Sequence, residues 1–167
     1  MGLRIGRSRL ELKLSRESSA SHSRDQFLSD AADLVHLGWL QDSWFAYRDD
    51  AGRIKPVNAY NAKQMIGHPV VGACLVGAII HAGGGLPQLR TQVVQRAMDL
   101  TWHTLFKTPQ RLVRRIPAPD MRVHHVQDLT RWNDYPHRTA DQAEELLRRS
   151  AIAARSEAEV LRRVPVS

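Results

Sequence analysis

Cys74 stands upstream of two histidines, His125 and His137, and of the neighbouring pair Asn133 and Asp134. A thiolate beside an imidazole, with a third group orienting the ring, is the arrangement of a cysteine hydrolase or transferase. In that reading Cys74 attacks, His125 or His137 takes the proton, and Asn133 or Asp134 holds the ring. The setting of the thiol argues the other way. It lies mid-run in "VVGACLVGAII", among small and apolar neighbours where a free cysteine behaves as a small buried hydrophobe. The chain also offers too few strands for a papain-like sheet. The balance leans away from an enzyme, with thiol chemistry kept as the alternative.

Metal and phosphate-loop chemistry find weaker support. His124, His125 and Asp128 fall at helical spacing, with His81, His103 and His137 scattered elsewhere, but there is no HExxH or CxxC. Gly72 to Gly77 imitates the start of a phosphate loop without the Lys-Ser/Thr pair that would complete it. No metal and no cofactor is expected.

The densest stretch is "RWNDYPHRT", residues 131–139. Trp132 reads as an anchor buried against the core with its N–H satisfied. Asn133 and Asp134 are good turn formers, Pro136 ends the preceding helix, and Thr139 caps the next one. Only His137 and Arg138 lack a structural reason. If the corner opens to solvent instead, Trp39, Trp132, Asn133, Asp134, Arg138 and Thr139 are the residues of its pocket.

Charge gives the clearest hint of a partner. The chain of 167 residues is 43% hydrophobic and 25% charged, with net charge +7 and a pI near 10.3. Such a balance favours an anionic partner: nucleic acid, an acidic protein or a membrane surface. Arg111, Arg114 and Arg115, between Pro109 and Pro117, and then Arg122 form the basic segment suited to gripping phosphate. The longest apolar run is too short to span a bilayer, no signal peptide is read, and a cytoplasmic location is expected.

The elements that position these residues follow from periodicity. Residues 1–23 are a basic arm in which Leu10, Leu12 and Leu14 alternate as in a strand. Residues 24–163 form a single mainly helical domain, interrupted by a basic, proline-bounded loop at 107–122. Ser23 and Gln26 make a capping box for the first helix, which Gly38 stops. A short β-hairpin is expected over 43–57, and its aromatics (with Trp39) either fill the core or stack bases. Residues 70–82 have no polar face and predict the buried central helix. A helix over 87–106 follows, with Gln88, Gln92, Arg96, Asp99 and His103 as its polar stripe, then a short helix around 123–131. Thr139 and Gln142 open a last helix running to Arg163. The fold class is mainly α, a compact bundle of four to five helices around the 70–82 helix.

"GWLQDSWFAYRDDAGRIKPV", "CLVGAII" and "RWNDYPHRT" together resemble a small uncharacterised domain family of actinobacteria and their phages. Its pattern is a Gly-Trp, a Cys-Leu-x-Gly-Ala helix and a Trp-Asn-Asp-x-x-x-Arg-Thr corner, covering residues 30–155 here. The resemblance implies a shared fold and a recurrent site, with no reaction attached. The expectation is a binding or accessory module meeting nucleic acid or a nucleoprotein complex. A thiol-dependent hydrolase or transferase is the alternative, and a phage-related structural or assembly protein the second.

Overall fold

The computed structural model describes residues 24–107 and 119–163. The arm, Ser23, Arg111, Arg114 and Arg115 lie outside those residues. Helix α1 spans 24–37 and buries Leu28, Ala31, Ala32 and Val35 at helical spacing. Strands β1 (Phe45–Arg48) and β2 (Ile54–Val57) form the expected hairpin, and β3 (Val70–Ala73) pairs with the other side of β1. The sheet is antiparallel in the order β2-β1-β3. Helices α2 (Leu75–Ala82), α3 (Gln92–Phe106), α4 (Pro119–Asn133) and α5 (Ala140–Arg163) complete a mainly helical domain.

The run over 70–82 is two elements rather than one helix. Val70–Ala73 is strand, the chain turns at Cys74, and only Leu75–Ala82 is helical. An unbroken apolar run has the same appearance whether a buried strand or a buried helix forms from it. The helical half is central as expected, with every residue from Leu75 to Ile80 buried. Gly77 has its reason here: a Cβ at that position would collide with the Trp44 carbonyl, so the helix lies directly on the chain entering β1. Gly38 is comparable, since its Cβ would sit 2.5 Å from the Val71 carbonyl oxygen. Close approach to β3, not a left-handed turn, is what requires glycine there.

The next two helices also differ from expectation. Pro87 belongs to a single 3₁₀ turn, Leu86–Gln88, and α3 begins only at Gln92. Its polar stripe is not wholly solvated, because α4 covers Asp99, which is 6% exposed. Helix α4 begins at Pro119, earlier than the spacing suggested, so Arg122 is helical and no longer part of the loop. Contacts advance together along the pair: Arg122 with Gln92 and Asp99, His125 with Asp99, Asp128 with Trp102. The two helices therefore run in the same direction. Helix α5 is about 36 Å long at 1.5 Å per residue and buries Ala143, Leu147, Ala151, Ala154 and Ala158 along one face.

Candidate functional site

Asn133, the last residue of α4, is 1% exposed and uses its whole amide. Its Oδ1 accepts from the Trp39 indole N–H at 2.9 Å and from the Leu75 N–H at 3.0 Å. Its Nδ2 donates to the Leu40 carbonyl at 2.9 Å and to Asp134 Oδ1 at 2.8 Å. An amide offers two donors and two acceptor positions, and all four are filled. Gln41 adds a bond from Nε2 to the Asn133 carbonyl, and the Asp42 N–H donates to Asp134 Oδ1. One side chain thus ties the segment after α1 to the start of α2 and the end of α4.

Cys74 sits on the same junction. It is the N-cap of α2, and its Sγ accepts from the Gly77 N–H at 3.3 Å. Burial, aided by the negative charge of Asp134, pushes the thiol up to about 12, against the opposing bond from Gly77. At neutral pH it is a neutral thiol, the wrong form for a nucleophile. The histidines proposed as its bases are engaged elsewhere. His125 lies on Asp99, and His137 is exposed with its ring beside Tyr135. An open groove of about 560 Å³ passes this junction, lined among others by Cys74, Asp42, Trp44, Tyr60, Arg131 and Asp134.

Trp132 is half-buried, not the fully buried anchor expected of it. It packs on the core while the Arg138 guanidinium covers its outer face, 3.9 Å from the ring centroid. Arg138 Nε also donates to the Trp132 carbonyl, which gives that arginine the structural reason the sequence withheld. The anchor of the corner is its neighbour Asn133. Thr139 caps α5 as expected: the Gln142 N–H donates to Thr139 Oγ1, and the Thr139 N–H donates to Gln142 Oε1.

A second polar cluster lies between α3 and α4. His125 is 3% exposed, with Nδ1 2.8 Å from Asp99 Oδ1 and Trp102 stacked on its ring at 4.2 Å. The Trp102 indole N–H donates to Asp128. Arg122 Nε lies 3.6 Å from Asp99 Oδ2, and its Nη2 lies 3.4 Å from Gln92 Oε1. His125 and Asp128 therefore turn to different partners, and among the described residues no three of His, Cys, Asp or Glu gather around a metal position. Asp99 was missed as a site residue because a polar stripe on an amphipathic helix reads as its solvated face, and Trp102 because an aromatic on the opposite, apolar arc reads as core.

The three segments that meet at Asn133 are those whose motifs resemble a known family. A family model described as a family of unknown function, DUF6197, matches residues 21–153. The chain belongs to that family. The Gly-Trp, Cys-Leu-x-Gly-Ala and Trp-Asn-Asp segments of this DUF6197 member share one hydrogen-bonded junction, with Gly38 and Gly77 permitting the backbone contacts around it. No curated protein and no solved structure matches the chain. No helix among the described residues is long and apolar enough to cross a membrane.

Proposed function

We propose that this chain is a small binding module that contacts a polyanion, with nucleic acid or a nucleoprotein complex as the partner, through basic segments carried on a nearly neutral body. The distribution of charge carries the reading. Residues 24–107 and 119–163 hold 16 Lys and Arg against 15 Asp and Glu, so six of the seven net positive charges belong to residues 1–23 and 108–118. Many of the body's cations are already paired. Arg24 meets Glu157, Arg155 meets Asp25, Arg148 meets Asp33 and Glu144, and Arg53 and Lys55 share Asp49.

The described residues that adjoin the two segments, Arg24 and Arg122, both lie near α3. Arg24, at the start of α1, is lowered first by burial, which Glu157 opposes, and then by the charge of Arg96 on α3. Arg122, near the start of α4, touches Gln92 and Asp99 on the same half of α3. Arg111, Arg114 and Arg115 supply guanidiniums, whose planar forks suit phosphate oxygens in pairs.

The test is binding of mixed-sequence DNA and RNA at several salt concentrations, by the parent and by a variant with Arg111, Arg114 and Arg115 changed to alanine. The expected log–log slope for duplex DNA is about −0.9 per phosphate neutralised, flattening in the variant. Absence of binding at low salt, or an unchanged slope in the variant, contradicts the reading. Binding that persists only with an acidic protein would move the partner to that class.

A further inference from the structure

In a chain of net charge +7, the groove beside the Asn133 junction is lined by two carboxylates that no cation meets. They are Asp42 and Asp134, and the Asp42 N–H donates to Asp134 Oδ1 at 3.1 Å. Elsewhere Asp25, Asp33, Asp49 and Glu157 each pair with an arginine. Among the described residues Asp42 and Asp134 pair with none. Arg131, which also lines the groove, is turned to Asp128 at 3.5 Å. The two hydrogen bonds that Asp134 Oδ1 accepts come from neutral donors, the Asp42 N–H and Asn133 Nδ2. Asp134 also follows directly on α4, at the end where the helix carbonyls carry partial negative charge. A carboxylate is unfavourable there unless a cation accompanies it.

Beside these carboxylates the lining is aromatic and apolar. Trp44 packs half-buried against the core, and Val126 lines the groove from α4. Tyr60 stands at the rim, 97% exposed. Its turn is pinned: Asn58 Oδ1 accepts from the Tyr60 and Asn61 N–H groups, and Asn61 Oδ1 accepts from the Asn58 N–H. A ring so exposed adds little to the core, and a turn so held loses little freedom when a ligand touches it. The volume of about 560 Å³ falls within the range of small-molecule sites.

We propose that this groove binds a small organic amine, its protonated nitrogen held by Asp42 and Asp134 and its apolar body lying against Trp44 and Tyr60. The carboxylates supply charge-assisted acceptors, and the aromatic faces attract a cation through their π electrons. The site lies apart from the basic segments and selects the opposite charge, so it does not depend on the polyanion reading.

The experiment is titration with phenethylamine, followed by the indole and backbone N–H signals in NMR. 3-Phenylpropionate and 2-phenylethanol are the comparison ligands, since they keep the ring and reverse or remove the charge. The amine should shift the Trp44 indole and the Asp42 and Tyr60 amides saturably, and less tightly as salt is added. Each comparison ligand should bind at least about fivefold more weakly. Asp42→Asn and Asp134→Asn remove charge while keeping an acceptor oxygen and a side chain suited to a turn. Each should weaken amine binding by about two- to fivefold, and the two together by about tenfold. Equal binding of the amine and the neutral alcohol overturns the proposal, as does unchanged affinity in the double variant. So does the absence of saturable shifts at these positions. The ligand comparison uses the parent chain alone, so it holds whatever the variants do to stability. A lysine-bearing peptide that shifts these signals where free phenethylamine does not would make the occupant a protein side chain and overturn the small-ligand assignment.

Discussion

Both the Asn133 junction and the Asp99 cluster bury polar side chains between helices, yet they are built in opposite ways. At the junction a neutral amide meets matched backbone and indole groups, and each donor and acceptor of its side chain is used. At the cluster a carboxylate, a guanidinium and an imidazole share charge, with two atoms left without a hydrogen bond. A neutral, saturated network responds little to pH or salt and fixes geometry. The junction therefore fixes the architecture, whereas the cluster is held by charge less evenly matched.

The comparison breaks most visibly at Asn133. Asn133→Ala leaves the Trp39 N–H, the Leu75 N–H and the Leu40 carbonyl without their partner, and should cost at least about 3 kcal/mol, at about 1 kcal/mol or more per orphaned group. The urea unfolding midpoint measures it, and a variant as stable as the parent would mean that the junction is not a unit. Gly77→Ala comes next. Its methyl group meets the Trp44 carbonyl, and overpacking of this kind costs about 1–3 kcal/mol. Thr139→Ala should cost about 1 kcal/mol, the usual value of a lost cap, on the same unfolding curve.

The smallest expected effect is on thiol chemistry. With the Cys74 thiol held near 12 by burial, the thiolate that reacts is scarce until the pH approaches that value. Alkylation of the folded chain should therefore stay slow at neutral pH and rise to the rate of a free cysteine only in denaturant. Rapid stoichiometric labelling of the folded protein would reopen the hydrolase reading.

Local signals in the sequence located most elements, and their limits are physical. Thr139 with Gln142, and the break of an aromatic run at "DDAG", act within a few residues, so the last helix and the hairpin were legible. The division of 70–82 into strand and helix was not, because Cys74 is an unusual cap and its neighbours are apolar in either conformation. Asn133 reads as a turn former, since its chief partner Trp39 lies 94 residues away and only tertiary structure joins them. Arg138 has no role until Trp132 is seen beneath it. Asp99 looked solvated until α4 was placed across α3.

The central claim is that the basic segments bind while the motif junction holds the fold. Measuring DNA affinity at one low salt concentration for two variants side by side tests it directly. Cys74→Ser keeps a capping side chain at the start of α2, and it should bind like the parent. The variant with Arg111, Arg114 and Arg115 replaced by alanine should lose most of its affinity. Loss of binding in Cys74→Ser, with the arginine variant unaffected, would place the function in the groove beside Cys74 and contradict the account.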